Sequence, residues 1–257
     1  MGDEVIFRVE DKTAYITLNR PEQGNALNLA MRRLLCDAWR RVNSDPAICS
    51  VIITGGDSVF STGQDLKELA EFRKTEPIAD LPMNTLDTYG INVKKPVIAA
   101  ISGYCLGAGF LLALVGADIR VASTTAKFGM PEVKVGVPPS LGIPPLIAMH
   151  FPPAVAMKLL LLGENLTVEE AYQIGFVNKV VEPSELIRAA QAYASKINAL
   201  SPLIVKNIKT VYRKVTAPDP KAIALSDAVC LLGRHSEDYI EGWKAFVQKR
   251  KPRWTGK

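Results

Sequence analysis

The chain has 257 residues, 48% hydrophobic and 22% charged, which is enough for one sizeable core or a large domain with a smaller appendage. Its formal charge of +5 is modest. With no long basic run, that charge suits anionic small molecules at least as well as nucleic acid.

Residues 4–20, "EVIFRVEDKTAYITLNR", alternate apolar and polar around Glu10, Asp11 and Lys12, which predicts a hairpin. From Leu27 to Val42, the residues Leu27, Met31, Leu34, Leu35, Ala38 and Val42 fall at helical spacing, with Asn25 or Asn28 as cap. "SVIITG" predicts a short buried strand, followed by a glycine-containing loop and the helix "DLKELAEFRK". Residues 74–85, "KTEPIADLPMNT", read as a mobile connection. "KPVIAAISG" is a second buried strand running into "GYCLGAGFLLALVGA", a glycine-rich turn that opens a helix, and "DIRVAS" is a strand again. This alternation predicts an α/β core with parallel strands up to about Ala122. After Pro152 the pattern is helical, the last long stretch being 219–250. The apolar content of these helices predicts an oligomer.

Cys36, Cys49, Cys105 and Cys230 match no zinc or redox spacing and read as reduced thiols. The first residues, "MGDEVIFRVEDK", carry no apolar signal core, no uninterrupted run reaches membrane-spanning length, and the terminal "TGK" is no peroxisomal address. The expectation is a soluble, cytoplasmic protein without membrane partners.

Two junctions, "SVIITGGDSVFSTGQDLKEL" and "KPVIAAISGYCLGAGFLLAL", repeat one device: a buried strand, glycine, then a helix start. Free N–H groups at such turns bind anions or the developing charge of an oxyanion. Neither has the glycine spacing of a dinucleotide fold. Further on, "KFGMPEVKVGVPPSLG" places Glu132 among small and apolar residues, with Pro138 and Pro139 just beyond. A carboxylate in such surroundings costs free energy to ionise, so Glu132 is either a general base or a surface acid at a strand end.

In order, "NRPEQGNALN", "VFSTGQDLKEL", "ISGYCLGAGFLLALVGADIRVAS", "AKFGMPEVKVGVPP", "GENLTVEEAYQIGFVNKVV" and "EGWKAFVQKRKP" resemble the enoyl-CoA hydratase/isomerase (crotonase) superfamily over essentially the whole chain. The resemblance implies an α/β fold, a crotonase-like core of repeated ββα units over residues 1–195 with a C-terminal helical trimerisation region at 196–257. It implies a homotrimer or hexamer and acyl-CoA thioester substrates. No cofactor is implied beyond the coenzyme A that the substrate carries, and no metal. The two N–H groups that hold a thioester oxygen as an enolate fall on Gln64 and Ala108, and Gln64 would narrow the acyl site. Lys67 and Lys249 match positions that approach the CoA phosphates.

The match departs from the hydratase pattern at two places. One of two glutamates is kept, as Glu132, while the other position holds Leu111. A glycine whose N–H orders water is replaced by Pro139, which has no N–H. One carboxylate with a raised pKa suffices to move a proton along a dienolate, so the pattern implies isomerisation of a 3-enoyl-CoA to a 2-enoyl-CoA. Hydration and decarboxylation of a malonyl-type thioester are the other reactions it admits. Glu68, Glu71 and Tyr104 are candidates for a second acid. His150 and His235 match no catalytic position and read as structural; Trp39, Trp243 and Trp254 read as packing or surface residues. A crotonase relative binds RNA through a basic helix, but Arg32, Arg33, Arg40 and Arg41 read instead as a solvated face.

Overall fold

The computed structural model describes residues 4–75 and 84–257. Strands β1 (Val5–Glu10) and β2 (Thr13–Leu18) form the expected hairpin, with Asp11 and Lys12 both at positive φ in the two-residue turn. Helix α1 (Leu29–Ser44) is capped by Asn28, whose side chain accepts from the Met31 N–H; Asn25 instead donates to the carbonyls of Gly55 and Val59. Strand β3 (Ser50–Thr54) is followed by α2 (Leu66–Phe72), and β4 (Val97–Ile101) by a short strand β5 (Tyr104–Leu106) and α3 (Ala108–Leu111). A π-helical turn over Leu112–Gly116 extends α3. Then come β6 (Ile119–Ser123), β7 (Lys127–Gly129), a 3-10 turn at Pro131–Val135 and α4 (Ile143–His150). The remaining elements are α5 (Pro153–Met157), β8 (Leu166–Thr167), α6 (Val168–Gln173), β9 (Lys179–Val181), α7 (Leu186–Asn198), α8 (Pro202–Val215), α9 (Pro220–Arg234) and α10 (Glu237–Val247).

Two sheets result. The larger has the order β1-β2-β3-β4-β6-β9, parallel from β2 onward, and the smaller has the order β5-β7-β8. After β3 the chain bridges from Ser61 to Cys105, and after β4 and β6 it enters β5 and β7. Each pass through the large sheet thus touches the small one before its helix or turn, which is the repeated ββα unit. Every residue of β3 and β4 is buried because both faces are covered. One face packs Ile52, Ile98, Ala100 and Val121 against Leu186, Ala189, Ala190 and Ala194 of α7; the other carries the main core.

The structure corrects the helical reading of the second half in two ways. Residues 179–181 are a strand that pairs with β6, too short to show a period of its own. The stretch 219–250 is two helices, because the Ser236 hydroxyl caps a new start by accepting from the Tyr239 N–H. The 195/196 boundary falls inside the last turn of α7. Most of the connection expected at 74–85 lies outside the described residues. All four cysteines are free. His150 and His235 each bond through Nδ1 to a carbonyl four residues back. No helix among the described residues is long and apolar enough to cross a membrane.

Candidate active site

The first glycine turn is held by α1's leading edge. Leu27 donates its N–H to the Gly63 carbonyl at 2.7 Å and accepts from the Asp65 N–H at 3.2 Å. That pairing uses the groups on either side of Gln64 and leaves the Gln64 N–H without an acceptor among the described residues. The second turn repeats the arrangement: Gly107 donates to the Gly129 carbonyl at 2.9 Å and accepts from the Leu111 N–H at 3.1 Å, leaving the Ala108 N–H without an acceptor among the described residues. The two turns touch. A Cβ at residue 63 would stand 3.4 Å from the Ala108 nitrogen and 2.9 Å from the Leu106 carbonyl oxygen. Buried edge-on contacts of Phe110 with Phe176, at 5.4 Å between centroids, anchor α3 from behind.

Glu132 enters from the 3-10 turn that Pro131 starts. A Cβ at residue 107 would lie 2.6 Å from its Oε1, so the carboxyl group sits directly against the second glycine turn. Although the residue as a whole is half-buried, Oε2 has neither solvent contact nor a hydrogen-bond partner among the described residues. Burial therefore pushes its pKa up to about 7, with its own backbone N–H pulling weakly the other way. Glu132, Gln64 and Ala108 line one cavity of about 100 Å³, together with Leu111, Pro139 and Tyr89. Glu132 is the only carboxyl group among the cavity's described lining residues. A carbonyl oxygen accepting from both free N–H groups would place its adjacent carbon beside a base poised near neutral pH, which is the geometry for forming an enolate.

Because the folded pKa of Glu132 lies above the unfolded value of 4.5, the native state holds this proton more tightly. Its contribution to stability is fully present below pH 4.5 and is lost as pH rises through 7, an effect of up to about 3 kcal/mol. Urea titrations of wild type and Glu132→Gln at pH 4.5 and 8 should show the wild type losing more stability across this range; equal losses would place the carboxyl in a wetter setting.

The other expected residues fall outside the cavity. Lys67, in the first turn of α2, and Lys249, just after α10, are exposed, and neither lines it. The candidate second acids are occupied elsewhere: Glu68 accepts from the Leu29 N–H, Glu71 pairs with Lys74, and Tyr104 is on the surface near Lys127. Trp39 is buried, with its indole N–H on the Thr88 carbonyl. The arginine face needs correcting. Arg33, Arg40 and Arg41 are exposed, Arg40 pairing with Asp37 and Arg41 lying over Phe7, but Arg32 is fully buried. The signal for it was present, since Arg32, Leu35, Trp39 and Val42 form one helical stripe. The four arginines do not make one exposed row.

Residues 8–257 match the enoyl-CoA hydratase/isomerase family. The chain is 40% identical to an (E)-benzylidenesuccinyl-CoA hydratase of Thauera aromatica, over 98% of this chain and 99% of the relative. It is 34% identical to a short-chain-enoyl-CoA hydratase of Clostridium acetobutylicum, over 97% and 96%. The solved structure of a carnitinyl-CoA hydratase from Mycobacterium avium superposes with a TM-score of 0.88 at 30% identity, over 100% of both chains. With two sheets linked by ββα passes, and a buried carboxyl facing two free amides, the chain belongs to the enoyl-CoA hydratase/isomerase family and is an acyl-CoA enzyme of the crotonase fold.

Proposed function

We propose that this enzyme isomerises 3-enoyl-CoA thioesters to 2-enoyl-CoA thioesters, with coenzyme A entering only as part of the substrate. Glu132 removes a proton from C2, and the electron pair moves onto the thioester oxygen, held by the N–H groups of Gln64 and Ala108. The resulting dienolate takes the proton back at C4, which leaves the double bond between C2 and C3. The observation that supports this reading is that Glu132 is the one carboxyl among the described residues lining the cavity, which Leu111 and Pro139 also line. A single base suffices for a proton shift, whereas adding water calls for a nucleophile to be held and activated as well.

Lys67 and Lys249 are proposed to approach the CoA phosphates. Self-assembly into a trimer or hexamer is supported by exposed Leu203, Ile204, Ile208 and Val211 on α8, and Leu225, Val229 and Leu232 on α9. Four free cysteines support a cytoplasmic setting.

The relatives named hydratases favour a second reading, in which Glu132 both deprotonates water and delivers the proton to C2. Assaying purified enzyme on 3-enoyl, 2-enoyl and malonyl thioesters separates them. Isomerisation at ten or more times the hydration rate is expected; the opposite ratio makes the enzyme a hydratase, and carbon dioxide release from malonyl-CoA makes it a decarboxylase.

A further inference from the structure

Arg32 has no solvent exposure, yet no ion pair with a carboxylate is found for it among the described residues. Its Nη1 donates to Asn84 Oδ1 and to the Tyr89 hydroxyl, both at 2.9 Å. Its Nε and Nη2 have no partner among the described residues. A buried guanidinium without a counter-ion is costly, and the Tyr89 ring, 5.9 Å from Cζ, offsets little of that.

The groups in front of this charge face the active-site cavity. Tyr89 donates its hydroxyl proton to Asn84 Oδ1 at 2.8 Å, so that oxygen accepts twice. The double acceptance orients the amide and leaves Asn84 Nδ2 as a donor with no acceptor among the described residues. Both Asn84 and Tyr89 line the cavity that holds Glu132, Gln64 and Ala108. Among the described residues, the cavity wall thus carries a positive charge with no carboxylate partner, one hydrogen bond deep. Leu66, Leu69, Leu111 and Ile143 supply apolar parts of the same lining.

The geometry points to a carboxylate subsite: the acyl group of the preferred substrate carries a second, free carboxylate, held by Asn84 Nδ2 and neutralised by Arg32 behind it. This rests on the acyl-CoA reading of the cavity. A neutral acyl tail would leave Arg32 without a carboxylate partner among the described residues, whereas a carboxylate supplies both that charge and an acceptor for Asn84 Nδ2.

The test is equilibrium binding, by calorimetry, of succinyl-CoA against butyryl-CoA and glutaryl-CoA against valeryl-CoA. In wild type, at least one acidic thioester should bind tenfold or more tightly than its neutral counterpart. In Arg32→Met that ratio should fall below threefold, and Arg32→Lys should recover part of it. Equal binding within both pairs, or a preference that survives Arg32→Met, overturns the subsite while leaving the acyl-CoA reading intact. Failure of wild type to bind any of the four overturns both. The wild-type comparison needs no variant, and Asn84→Ala repeats the loss-of-preference test if Arg32→Met does not fold.

Discussion

Replacing Glu132 by Gln is expected to abolish turnover while leaving thioester affinity within about threefold. The carboxyl and the amide have the same shape, so the cavity lining and the two free N–H groups keep their positions. What is lost is the proton acceptor, a contribution of roughly 10² to 10⁴ in rate for a positioned base. The raised pKa of Glu132 makes this loss more complete, because a base poised near 7 has no equivalent among the described lining residues. Steady-state kinetics with a 3-enoyl thioester, paired with calorimetric binding of a saturated one, checks both halves. Turnover close to wild type would remove Glu132 as the base. Weakened binding in proportion to the rate would make it a binding group instead.

Gly107→Ala is expected to be nearly as damaging, by a different route. Residue 107 has φ 49 and ψ −121, a combination reserved for glycine, and forcing another residue into it costs on the order of 1–3 kcal/mol. Its new Cβ would stand 2.6 Å from Oε1 of Glu132, so either the carboxyl or the turn carrying the Ala108 N–H must shift. A displacement of that kind in a site built on alignment costs about 10² in rate. Gly56→Ala is the control, because residue 56 also has positive φ but would place its Cβ in open space. Both variants should lower the melting temperature, while only Gly107→Ala should lose turnover. Equal activity in the two would mean that the Gly107–Glu132 approach has no bearing on the chemistry.

Much of this molecule was legible in its residues because the information is local. The β1–β2 hairpin follows from alternation around a short polar turn, and α1 from a stripe that starts at an asparagine cap. The apolar runs 51–53 in β3 and 97–101 in β4 can be satisfied only by strands covered on both faces. Gly63 and Gly107 announced two turns with spare N–H groups, and the order of motifs pointed to Gln64, Ala108 and Glu132 as a set. Strands β5, β7, β8 and β9, of two or three residues each, were not legible, since so short a segment has no period and exists only through its partners.

Tertiary structure alone decided the chemistry of those residues. A sequence can show a glutamate among apolar neighbours, but whether it ionises depends on water, and that is excluded by a turn 25 residues earlier in the chain and by prolines beyond it. Arg32 makes the same point in reverse. Four arginines on one helix look alike in sequence, yet one is turned inward by its place on the buried stripe and set behind Asn84 and Tyr89, more than 50 residues away. Solvation free energy is a property of everything packed around a group, so the charge a buried side chain can carry is settled only when distant segments close over it.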